Sequence, residues 1–375
     1  MKSQISKISY VNIAKQNAPI KSELLRAIER VIDHGQFVLG KEVEELEKRF
    51  SEMCGARFSV AVNSGTDALI LSLRALHIGA GDEVITVSNS FVATASSIYL
   101  AGATPVFVDI RDDLNIDPGL IEQAITRKTK AILPVHLTGR PADMNTLMSI
   151  AKKHKLHVIE DCAQAVLAEY SGKRVGSFGT VGCFSLHPLK TLNACGDGGM
   201  MTTNDEALYG ELKLLRNLGL KTRDECVVWS NNSRLDTVQA ACVLVKMNYV
   251  EQWTEKRREH AQYYQQHLSS VKQVKCPLDQ PSERSVYHTF VIQAQQRDRL
   301  KQYLLEKGIE TAVHYPIPIH LQPAYQKLGV ASPDCPRTEK LANLILSLPI
   351  YPELDASDLN YICETIKEFY EANRC

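Results

Sequence analysis

The feature that most limits what this chain can become is an alternation that starts at Phe58 and continues to Ile159. Apolar runs of strand character recur at 58–62, 83–87, 105–109, 131–135 and 156–159. Between them stand segments with helical spacing at 65–76, 91–100 and 144–154, and Asp117-Pro118 supplies a capping residue followed by proline at a first helical position. A strand that must cross a helix before the next strand cannot form a tight hairpin with it. Such units pair in parallel and cover both faces of the sheet. The pattern therefore predicts an α/β chain built on a mainly parallel sheet between helices.

Two amphipathic helices are expected ahead of the alternation. One carries Leu24, Leu25, Ile28, Val31 and Ile32 over 22–34 and stops at Gly35; the other carries Val43, Leu46, Phe50 and Met53 over 41–53. Behind it, helical spacing returns at 205–218, ended by Gly219, and in one long stretch over 235–267. Beyond that, 286–293, 300–307, 339–346 and 359–370 switch between strand and helix patterns. The expected organisation is a large domain over 1–250 and a smaller C-terminal α/β domain over 251–375.

Composition removes several function classes. Lys plus Arg equals Asp plus Glu at 43 each, so there is no net field to draw nucleic acid or an anionic membrane, and any anion site must be built locally. The first residues carry no apolar signal region, and no apolar stretch reaches the ~20 residues of a membrane span, which predicts a cytoplasmic protein. Ten cysteines are scattered without a C-x-x-C pair and read as reduced thiols.

In parallel sheets ligands collect at the carboxyl ends of the strands. That rule selects Asn63-Ser64-Gly65-Thr66, Ser90-Phe91, His136, Asp161 and the segment from Ser185 to Lys190. Asn63-Ser64-Gly65-Thr66-Asp67 joins a strand to a helix start through small residues, which offers free N–H groups, a hydroxyl and the positive helix end to a phosphate; the alternative is a simple helix cap. Glu160-Asp161 closes an apolar strand, where a carboxylate needs a cationic or hydrogen-bonding partner. Lys190 stands between a strand and the turn Gly196-Asp197-Gly198-Gly199. Lysine for an aldehyde, carboxylate for a pyridinium and turn for a phosphate are the parts of a pyridoxal phosphate site.

The motifs NSGTDALILSLRAL, SNSFVATASSI, AILPVHLTGRPADM, VIEDCAQA, GCFSLHPLKTLNACGDGGMMTTN, LLRNLGL, NNSRLDTVQAA and HYPIPIHLQPAY resemble, in order, those of the DegT/StrS-type sugar aminotransferases. The resemblance implies a fold type I aminotransferase with a seven-stranded-type sheet in the large domain. It makes Lys190 the Schiff-base lysine, Asp161 the partner of the pyridine nitrogen, Gln164 the neighbour of the 3-hydroxyl and Phe91 the stacking ring. Gly65, Thr66 and Ser185 correspond to phosphate contacts, and Asn232 to a residue lent by a partner subunit, which implies a homodimer with shared sites. Glutamate as amino donor and a keto-sugar as acceptor follow, with pyridoxamine phosphate as the intermediate cofactor form. A nucleotide-linked sugar is the commonest family substrate, while a free or phosphorylated one such as an 8-oxo octulosonate stays open.

Related sugar dehydratases carry histidine in place of this lysine, so Lys190 favours nitrogen transfer over elimination, and a cofactor-binding regulator is disfavoured by Lys190 and Asp161 together. Around the lysine, His187, Thr191 and Asn193 depart from the family pattern and are read as shaping the acceptor pocket. His314 and His320 lack a third ligand at metal spacing. They are read instead, with Tyr315, as part of a proline-stiffened loop at the mouth of the site, near the sugar, and Tyr10 is expected to join them.

Overall fold

The computed structural model describes residues 7–329 and 333–372. At its centre a seven-stranded sheet runs in the order Phe58–Val62, Gly199–Thr203, Val181–Ser185, His157–Asp161, Thr129–Ile132, Glu83–Val87, Thr104–Val108. Gly199–Thr203 is antiparallel to both neighbours, and the other pairs are parallel. The strands are buried on both faces: Val60, Ala61, Val84, Ile85, Ile132 and Ile159 have no solvent exposure. That is why they read as unbroken apolar runs rather than as alternating ones.

The helices on the faces begin and end where local chemistry requires. Gly65–Ala75 is capped by Ser64, whose side chain accepts from the Asp67 N–H, and Met144–His154 by Asp143 in the same way with Thr146. Lys21–His34 and Lys41–Cys54 both end on a left-handed glycine, Gly35 and Gly55. Asp117-Pro118 opens only a short 3₁₀ turn, Pro118–Leu120, followed by the four-residue helix Ile121–Ala124.

Two expected elements are divided. The stretch over 235–267 forms Thr237–Met247 and Val250–Leu268, broken at Asn248-Tyr249. Tyr249 is held from outside its own segment by the hydrogen bond its hydroxyl donates to Glu23 (2.6 Å), with its ring stacked on Trp253 of the following helix. Local periodicity cannot register such a tertiary anchor. Likewise 339–346 separates into the helix Pro336–Ala342 and the strand Ile345–Leu348.

That strand belongs to a three-stranded antiparallel sheet with Phe290–Ala294 and Val274–Lys275. A second core forms there from Tyr264, Phe290, Leu346, Ile362 and Phe369. Ile8 joins this core from the other end of the sequence, exchanging backbone hydrogen bonds with Gly308 and Glu310 (2.9 Å each). The strand expected at 286–293 starts later because the Val286 N–H donates to the Gly139 carbonyl of the large unit. Among the described residues no helix is long and apolar enough to cross a membrane, and no disulfide forms.

Candidate active site

A cavity of about 370 Å³ opens at the carboxyl ends of the strands and is closed from the far side by the C-terminal unit. Gly65, Thr66, Phe91, Asp161, Gln164, Ser185, His187 and Lys190 all line it, as do Tyr10, His314 and Tyr315. Residues from both ends of the chain thus converge on one space.

One wall is the start of helix Gly65–Ala75. Among the described residues its first N–H groups, on Gly65 and Thr66, have no partner, and the Ser185 hydroxyl lies alongside, accepting from the His187 N–H (3.3 Å). A Cβ at position 65 would fall 2.7 Å from the Ser185 Cβ, so only glycine leaves this cradle open. Unsatisfied donors at a positive helix end, beside hydroxyls, suit a phosphate.

The acidic pair divides its labour. Glu160 is fully buried and saturated by the N–H groups of Gly176, Phe178 and Gly179 and by His136 (3.1 Å), so it is structural. Asp161 faces the cavity, receiving the Ala163 N–H (3.1 Å) and the Thr94 hydroxyl (2.9 Å). Burial raises its carboxyl above the ordinary value despite those donors. A cation opposite the free lone pairs would remove that cost, which is what a protonated ring nitrogen provides.

Lys190 follows the strand Val181–Ser185, and among the described residues its ammonium has no hydrogen bond or ion pair. Burial pulls its pKa down to about 8, with the Asp161 charge pulling the other way. Half the amine is therefore neutral near pH 8, whereas an exposed lysine is protonated there. In the cofactor-free protein, competitive acetylation followed by peptide mapping should show Lys190 reactivity rising through pH 8 and levelling above it. Other lysines should still be gaining reactivity past pH 10, and a Lys190 profile that tracks them would exclude this environment.

Phe91 caps helix Val92–Leu100 and stands half-exposed, 5.7 Å from the Tyr315 ring. Gln164 is pinned, accepting from the Thr138 N–H (2.6 Å) and donating to the Tyr315 hydroxyl (3.2 Å). Tyr10 and His314 rings are 5.7 Å apart, and the His314 Nδ1 meets the Ser347 hydroxyl (2.8 Å).

The expected positions of His320, Thr191 and Asn193 at the pocket are corrected. His320 does not reach the mouth: it is buried, with Nδ1 on the Ser88 hydroxyl (2.5 Å) and Nε2 on Glu339 (3.1 Å), and it ties the loop down from behind. Thr191 and Asn193 are also buried and outside the lining. Asn193 instead braces the Lys190 segment, donating to the Lys190 carbonyl (2.8 Å) while accepting from the buried ammonium of Lys246 (2.5 Å). Asn232 is exposed at the end of the loop after Gly219 and lines no part of its own chain's cavity.

Sequence reasoning missed Thr94, Arg257, His288 and Tyr351, which line the same space. Thr94 stands three residues after Phe91 in the same motif. Arg257 had a readable signal: it continues the buried face Val250, Trp253, Thr254, Ala261, Tyr264 of its helix, where a cation is out of place.

The fold is that of the fold type I aminotransferases. The solved structure of DesV from S. venezuelae, in complex with a ketimine intermediate, matches with a TM-score of 0.95 at 38% identity, covering 98% of this chain and 99% of that one. NtdA from Bacillus subtilis with bound cofactor PMP matches with a TM-score of 0.91 at 31% identity, covering 99% and 86%. The chain belongs to the DegT/DnrJ/EryC1/StrS aminotransferase family, whose pattern spans residues 19–367. It is 43% identical to a Geobacillus stearothermophilus protein named pleiotropic regulatory protein, over 97% of this chain and 98% of the relative. It is 42% identical to the UDP-N-acetyl-3-dehydro-alpha-D-glucosamine 3-aminotransferase of Acidithiobacillus ferrooxidans, over 97% and 98%.

Proposed function

We propose that the protein moves an amino group from glutamate to a nucleotide-linked keto-sugar, using pyridoxal phosphate, in amino-sugar biosynthesis. The observation that carries the reading is the unpaired Lys190 amine in one cavity with the buried carboxylate of Asp161 and the open helix start at Gly65-Thr66. Pyridoxal phosphate, when bound, supplies a carbonyl carbon that exchanges amines and a protonated ring that takes up the electron pair released at the substrate carbon. Gly65, Thr66 and Ser185 would hold its phosphate, Asp161 its ring nitrogen, Gln164 its 3-hydroxyl and Phe91 its face.

Lys190 is the proton carrier. With half its amine neutral near pH 8, it takes a proton from the donor's carbon and returns it nearby, the condition under which general acid–base catalysis is efficient. Thr94 orients Asp161. Phe91 and Tyr315 form an aromatic wall that excludes water from the reacting carbon. Tyr10, His187, His314 and Tyr315 surround the space left for the sugar.

The working unit is a homodimer in which Asn232 reaches the partner's phosphate cradle. Its loop carries Leu218, Val227 and Trp229, the last 86% exposed, and apolar residues grouped this way beside Asn232 favour a protein contact.

Incubation with glutamate and a panel of UDP- and dTDP-linked keto-sugars should yield 2-oxoglutarate and an amino sugar in equal amounts. A deoxy-ketose with no amino sugar would mean elimination, and no turnover with any sugar would favour a regulatory role.

A further inference from the structure

The cavity contains a cation that the assignments above leave unused. Arg257 lies in helix Val250–Leu268 and is 4% exposed. Its Nη1 reaches only two backbone carbonyls at the edge of hydrogen-bond range, those of His288 (3.4 Å) and Ile350 (3.3 Å), and its Nε has no partner. Among the described residues no carboxylate lies within ion-pair distance of it. Glu353 is the acid that feels its field, and it too keeps an unpartnered buried oxygen. A buried guanidinium without an anion is costly, and the cost is tolerated where a ligand supplies the missing charge.

The neighbouring imidazoles supply no counter-charge: burial first, and then the fields of Lys190 and Arg257 on His288 and of Lys190 on His314, hold both rings neutral. The lining acids are Asp161, already matched to a ring nitrogen, and Asp197 on the exposed glycine turn.

We propose that Arg257 binds a carboxylate of the amino donor in this cavity and so selects an α-amino acid for the first half of the reaction. This rests on the aminotransferase reading. The α-carboxylate of an amino acid is one bond from the carbon that loses its proton, so it must enter the cavity together with Lys190. A nucleotide sugar's diphosphate is separated from the keto carbon by the sugar ring and can stay at the mouth. A planar guanidinium with an unused donor edge matches a carboxylate in bidentate geometry.

The test is glutarate binding to the cofactor-loaded protein, measured by calorimetry. Glutarate is a dicarboxylate without an amine, so the measurement stands even if no sugar is ever turned over. Arg257→Met should weaken glutarate on the order of 10- to 100-fold, and Arg257→Lys less, with UDP-sugar binding unchanged. Undiminished glutarate affinity in Arg257→Met would overturn the proposal, and so would a loss confined to the UDP-sugar, which would assign the anion to the acceptor. If Arg257→Met fails to fold, the native protein decides: glutarate should bind and raise the melting temperature while its neutral diamide does neither, and equal binding of the two overturns the assignment.

Discussion

A protein in which Lys190 is alanine should lose nitrogen transfer, with kcat falling by about 10³- to 10⁴-fold while the fold persists, measured as 2-oxoglutarate released from glutamate. The magnitude follows from what is removed. Lys190 is the unpaired amine of the cavity, poised by burial near pH 8, and the lining offers no second amine to carry the proton. Its removal also relieves a buried charge, so stability should hold or rise slightly below pH 8, where the native ammonium pays for desolvation. The same variant tests the shared site. Mixed with Asn232→Ala under conditions that exchange subunits, it should recover roughly a quarter of the native sites, because one site of each hybrid dimer keeps both residues. No recovery would place Asn232 outside the partner's site, and normal transfer by Lys190→Ala alone would end the mechanism.

Replacing Asp161 by alanine is expected to slow both half-reactions by about 10²- to 10³-fold, followed separately in single turnovers, with a much smaller loss of cofactor affinity. Burial pushes this carboxyl up, and the Ala163 N–H, the Thr94 hydroxyl and the Lys190 charge hold it back. A cationic ring nitrogen completes that balance, and removing Asp161 leaves the ring with no counter-charge in a low-dielectric wall. Thr94→Val should give a weaker version of the same phenotype. Equal rates in Asp161→Ala would mean that the ring nitrogen is served by another group.

Much of this was legible because the signals were local. The strands buried on both faces announced themselves as apolar runs, and caps such as Ser64 and glycines such as Gly35 and Gly55 marked helix ends. The rule placing ligands at strand ends then selected Gly65, Phe91, Asp161, Ser185 and Lys190, which do share one cavity. His320 and Asn193 were misplaced for a common reason: each follows cavity residues within a few positions, but its side chain is taken by a partner far along the chain, while Thr191, next to Lys190, is buried away from the cavity. Ser88, 232 residues from His320, and Lys246, 53 residues from Asn193, decide where those groups point.

By itself, then, the sequence determined the mainly parallel α/β sheet and the places of the Ser64-Gly65 turn, Asp161 and Lys190 at strand ends, because each depends on spacing within its own strand–turn unit. Only the tertiary structure decided which side chains close the site from the other face. Ile8 pairs with Gly308 and Glu310 and so brings Tyr10 to His314, and helix Val250–Leu268 turns Arg257 inward beneath His288. Those placements rest on packing between segments from 31 to 300 residues apart, where burial rather than local propensity sets the direction of a side chain and the charge it must find.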